Sequence, residues 1–141
     1  MSKVSTSMKL GVSAKQVWDL IGGFNALPDW HPAIEKSTIE GEEGATGSVR
    51  RLELAGGGEI VERLEQIDDS GRSYSYSIVS SPLPLANYNA TIRVSEDADG
   101  NATVEWSSEF EPAGASETDA MKVVEGIYQA GFDNLKKMFG G

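Results

Sequence analysis

The chain of 141 residues carries 22 acidic side chains against 12 Lys and Arg, one His and no Cys, with 39% hydrophobic residues and a formal net charge of -10. That balance describes one acidic globular domain spanning 1–141, which the order of strands and helices along it makes α+β, and at this length roughly two-thirds of the unfolded surface can be buried without disulfides or a structural metal. It excludes thiolate chemistry, zinc ribbons and iron–sulfur clusters for want of Cys, and it argues against nucleic acid and anionic membrane surfaces, which reward clustered Lys and Arg.

Residues 3–12 alternate as a strand. Ser13, with Gln16 three positions later, makes a capping box, and Val12 and Val17 are spaced for a hydrophobic staple, so a short helix follows. Val17, Trp18, Leu20 and Ile21 give it an apolar face, and Gly22-Gly23 ends it. Residues 24–33 hold two prolines and two aromatics, which predicts an irregular or short helical connector packed against the rest of the chain.

From Ile34 to Pro112 the hydrophobic period is 2, with turn signals at hairpin spacing, so six strands are expected at about 34–41, 46–54, 59–67, 72–80, 86–96 and 102–111. Tyr74, Tyr76 and Ile78, then Tyr88, Ala90, Ile92 and Val94, then Val104, Trp106 and Phe110 form apolar faces that need a cover. The cover is a C-terminal helix capped by Ser116 and running to about Phe139, with Glu117 and Asp119 at its start and Lys136-Lys137 at its end, as the macrodipole prefers. Ala120, Val124, Ile127, Tyr128, Gly131, Leu135 and Met138 make its stripe. The uncharged run from Ser73 to Ile92 contains five Ser, two Pro and two Asn, too polar for a membrane span. The first residues lack the apolar core of a signal peptide, so the expected compartment is the cytoplasm, and the sequons at Asn89 and Asn101 are then moot.

This order of elements, with Trp30-His31-Pro32, Gly47-Ser48-Val49-Arg50, Glu62-Arg63-Leu64, Tyr74-Ser75-Tyr76, Ser81-Pro82-Leu83-Pro84, Trp106 and Glu125-Gly126-Ile127-Tyr128, resembles the START/Bet v 1-like (SRPBCC) superfamily. More narrowly it resembles the polyketide cyclase/dehydrase and MxaD-like branch, over residues 3 to 139. The resemblance implies a helix-grip fold, a curved seven-stranded antiparallel sheet around a long C-terminal helix with a short helical segment after the first strand. It also implies an apolar cavity for lipids, sterols, polyketides or other hydrophobic molecules. It does not by itself imply enzymatic cyclisation, since one fold hosts many functions.

The residues add their own candidates. If the hairpin around Gly56-Gly57-Gly58 pairs Leu52 with Ile60, Arg50 falls opposite Glu62 on the face of Leu54 and Leu64. Arg50 and Glu62 are then either polar anchors in the cavity or a solvated cross-strand pair of small consequence. Trp30 and His31 are expected at the cavity rim, as ligand contacts or as a plug. His31, with the one side chain whose ordinary pKa suits proton transfer near neutrality, and Glu62 are the candidates for any acid–base catalysis. Tyr76, Tyr88, Trp106, Tyr128 and Phe132 are candidate lining residues, with core packing as the plainer alternative. Gly126 and Gly131 would be explained by close packing on the sheet or by room left for the cavity.

No metal site or cofactor is expected. Gly56-Gly57-Gly58 has no helix or Lys after it, and Asp97 to Asn101 lacks the glycine and bidentate Glu of a calcium loop. Three readings follow: a carrier or sensor of a small hydrophobic or aromatic ligand, a cyclase/dehydratase using His31 and Glu62, and a protein-interaction module with a filled pocket. The chain is expected as a monomer or, through strand-edge pairing, a homodimer, without membrane insertion.

Overall fold

The computed structural model describes residues 1–139; Gly140 and Gly141, counted in the domain by the sequence reading, lie outside the described residues. The elements run β1 (Ser2–Leu10), α1 (Ala14–Ile21), a 3-10 segment (Phe24–Asp29), β2 (Ile34–Glu40), β3 (Val49–Leu54), β4 (Glu59–Asp68), β5 (Ser73–Ser80), β6 (Leu85–Glu96), β7 (Ala102–Pro112) and α2 (Glu117–Phe139). One antiparallel sheet takes all seven strands in the order β1-β7-β6-β5-β4-β3-β2. Chain neighbours pair through hairpins from β2 to β7, and β1 joins at the far edge beside β7.

Local chemistry accounts for the breaks. The capping box is present: Ser13 Oγ accepts from Gln16 N, and Gln16 Oε1 accepts from Ser13 N, both at 3.2 Å. Three consecutive glycines, Gly56, Gly57 and Gly58, all take φ between 90° and 104°, a region closed to most other residues, and thereby set the β3–β4 register. β3 starts at Val49 rather than 46, because Ala45 N and Ser48 N bond back to Glu42 O and Ala45 O in a turn. β1 likewise ends at Leu10 instead of running on to Val12. Register shifts in the β2–β3, β4–β5 and β6–β7 pairings bend the sheet.

The core lies between the concave face of the sheet and α2, which packs on β1 and β7. Of the expected α2 stripe, Ala120, Val124, Tyr128, Gly131 and Leu135 are buried, Ile127 is half-buried and Met138 is exposed. Phe132, one turn after Tyr128, fills the core in place of Met138, which sits in the last turn. Among the described residues no helix is long and apolar enough to cross a membrane.

Candidate functional site

The β3–β4 hairpin builds the polar part of the interior. Leu52 pairs with Ile60 and Arg50 with Glu62, and all four are buried. Arg50 Nε and Nη2 both donate to Glu62 Oε1, at 2.9 and 2.7 Å, and Nη1 donates to the Phe24 carbonyl at 2.5 Å. The guanidinium lies 4.1 Å from the Phe24 ring centroid and 5.0 Å from that of Tyr76, a cation between aromatic faces. Burial pushes the Glu62 carboxyl above its ordinary range, and Arg50 pulls it back. Arg50 is always charged, and leaving a buried cation alone costs far more than ionising its neighbour, so the pair is ionic at neutral pH.

Between sheet and helix lies a partly enclosed cavity of about 40 Å³, walled chiefly by Leu27, Ile34, Leu52, Ile60, Ile78, Leu83, Leu85, Val124 and Ile127. That volume holds about three water molecules. Five of the nine site residues expected from sequence stand on its wall: His31, Glu62, Tyr76, Tyr88 and Trp106. The other four are buried beside it. Arg50 stands behind Glu62, turned toward Phe24, while Trp30, Tyr128 and Phe132 pack among the surrounding side chains.

The aromatic groups share one hydrogen-bond chain. Trp106 Nε1 donates to Tyr76 Oη at 3.0 Å, Tyr76 and Tyr88 hydroxyls are 3.5 Å apart, and the Tyr88 hydroxyl bonds that of Tyr128. Trp106 and Tyr128 stack at 4.1 Å between centroids with 17° between planes. Burial raises the pKa of Tyr76, Tyr88 and Tyr128. Indole is a donor only, so the Tyr76 hydroxyl accepts from Trp106, and its own proton has only the long 3.5 Å contact with the Tyr88 oxygen.

Trp30 and His31 are not at a rim; they are 0% and 1% exposed. The irregular connector turns inward because Trp30 N and His31 N both bond the Leu27 carbonyl. His31 Nδ1 accepts from Ala33 N at 3.2 Å, which leaves Nε2 to donate to the Ile127 carbonyl at 2.7 Å. Both ring nitrogens are thus engaged by main chain in the neutral tautomer, and burial lowers the pKa. Gly131 makes this approach feasible, since a Cβ there would stand 2.9 Å from His31 Cδ2, 3.0 Å from Trp30 Cζ3 and 3.2 Å from Trp106 Cζ3. Gly126 is different: a Cβ there would meet nothing within 4 Å, so neither close packing nor cavity space explains it.

Sequence reading missed the aliphatic half of the wall. Leu83 and Leu85 come from the β5–β6 turn and the strand after it, and both are half-buried. Ser81-Pro82-Leu83-Pro84 reads from sequence as a turn, and the Leu between two prolines is the available signal.

A curved antiparallel sheet closed over a long helix, with an apolar cavity and a few convergent polar groups between them, is a helix-grip protein. The profile of the family described as "Polyketide cyclase / dehydrase and lipid transport" matches residues 1–140, and the chain belongs to that family. MLP-like protein 423 of Arabidopsis thaliana is 30% identical over 131 residues, covering 86% of this chain and 83% of the relative. The abscisic acid receptor PYL10 of the same plant is 28% identical over 126 residues, covering 84% and 69%. Among solved structures, XoxI of Bacillus cereus superposes with a TM-score of 0.92 at 42% identity, covering 99% of this chain and 96% of its own.

Proposed function

We propose that the protein binds a small hydrophobic or aromatic molecule, lipid or polyketide-like, between sheet and α2, as a carrier or sensor without a cofactor. The observation that carries this reading is the apolar cavity whose wall includes Glu62, Tyr76 and Tyr88. A relative that is an abscisic acid receptor supports small-ligand sensing as a role for this fold. Ligand pockets usually measure about 300–1,000 Å³, so occupation requires the wall to give way. Half-buried Leu83, Leu85 and Ile78 are the side chains best able to move.

The arrangement favours binding over a cyclase/dehydratase reaction through His31 and Glu62, because His31 has no ring nitrogen left to exchange a proton with a ligand. The small volume favours the interaction module with a filled pocket as the second reading. A thermal-shift screen against fatty acids, sterols, flavonoids and aromatic polyketides separates the two. A ligand at 100 times its Kd stabilises the fold by about 2.7 kcal/mol; silence from every class would leave the filled module. Turnover lost in His31→Ala would instead restore the enzymatic reading.

A further inference from the structure

The polar wall of the cavity is unsymmetrical in a way that selects among hydrophobic ligands. Glu62 Oε1 accepts both bonds from Arg50. Among the described residues no group donates to Glu62 Oε2, although the carboxylate stands on the cavity wall. Two or more acceptor positions on that oxygen are therefore open. On the adjoining strand, diagonal to Glu62 on the same face of the sheet, Tyr76 offers a hydroxyl proton, its oxygen already occupied by the Trp106 indole. No cation answers these groups from the wall. His31 is neutral with both nitrogens engaged, no Lys lines the space, and the Arg50 guanidinium is taken up by Glu62, the Phe24 carbonyl and two aromatic faces.

We infer that the cavity recognises an uncharged, largely apolar molecule bearing a hydroxyl, which donates to Glu62 Oε2 and has an acceptor oxygen within reach of Tyr76, and that it rejects carboxylic acids. An alcohol or phenol fits because its proton meets an anion whose charge is already balanced, forming a charge-assisted bond without adding net charge to a dry interior. A carboxylate would bring a second anion against Glu62 with no free cation to meet it. An ammonium would meet Glu62 but leave the interior with one positive charge too many. Free fatty acids are thus the wrong lipids for this protein, and their alcohols the better ones.

This inference rests on the cavity-binding reading, and the test separates the two. Dissociation constants are measured at pH 7.5, by two-dimensional NMR titration of the intact protein, for four probes of one shape: 2-naphthol, 2-methylnaphthalene, 2-naphthoic acid and 2-naphthylmethylamine. The expected order places naphthol at least tenfold tighter than methylnaphthalene, with naphthoate weakest. The Tyr76→Phe and Glu62→Gln variants should each narrow the naphthol preference, the second to within about threefold. If Glu62→Gln does not fold, the order in the unaltered protein still decides. Binding of all four without discrimination, or naphthoate at least as tight as naphthol, overturns the hydroxyl specificity and leaves cavity binding standing. Absence of shifts in cavity residues with every probe overturns both.

Discussion

Arg50 and Glu62 are partners across the β3–β4 hairpin, yet the carboxylate alone reaches the cavity while the guanidinium is spent on holding it. Breaking one partner leaves an uncompensated buried charge, at a cost of about 3–5 kcal/mol, whereas replacing both with apolar side chains of similar volume is often neutral or stabilising. In urea unfolding, Arg50→Met should therefore lose several kcal/mol, and Arg50→Met with Glu62→Leu should recover most of the loss. Additive losses would mean that the two groups are not coupled.

Two glycines of α2 should respond oppositely to the same change. Gly131→Ala forces a methyl against three aromatic rings, and overpacking of this kind costs about 1–3 kcal/mol. Gly126→Ala enters open space on an exposed helical position and should stabilise by about 0.5–1 kcal/mol. A pair of thermal melts is sufficient to check both signs.

All four tyrosines of the chain, Tyr74, Tyr76, Tyr88 and Tyr128, are buried with pKa values raised by burial. A phenol whose folded pKa exceeds its unfolded value of about 10 contributes stability below pH 10 that is lost as pH rises beyond it. Each one contributes a slope of up to about 1.4 kcal/mol per pH unit. Tyrosinate absorbance at 295 nm should stay flat past pH 10 and then rise in one cooperative step together with loss of the sheet signal in circular dichroism. Gradual titration beginning near pH 10 in the folded protein would contradict the buried hydroxyl chain.

His31 sets the acid side. Its pKa is lowered in the fold, so the unfolded chain binds the extra proton first, and stability present above about pH 6.5 declines as pH falls below it, down to the folded pKa. His31→Gln should flatten the pH dependence of urea stability between about pH 7 and 5.5. An unchanged slope would place the responsible group elsewhere.

Much of this architecture is written locally. The Ser13–Gln16 box marks the start of α1, while the three glycines at the tip of one hairpin and period-2 alternation offer the β3–β4 register that brings Arg50 and Glu62 together. What local pattern does not encode is the direction a long side chain takes after its Cβ. Arg50 and Glu62 share a face, but the guanidinium reaches toward Phe24, 26 residues away in sequence, and so leaves the wall. Trp30 and His31 read as rim residues because two prolines flag irregular backbone; their burial depends on Gly131, a hundred residues on, letting the helix come close.

The pairing of β1 with β7 joins Ser2 to Phe110 and Leu10 to Ala102, so the first strand made is the last to find its neighbour. At synthesis rates of about 5–20 residues per second, β7 follows β1 by roughly 5–20 s, during which β1 has no sheet partner. Contacts so distant in sequence also slow refolding. The N-terminal strand is thus the clasp of the molecule: it cannot fasten before β7 has been made, and a chain interrupted short of β7 would leave it without its one sheet partner.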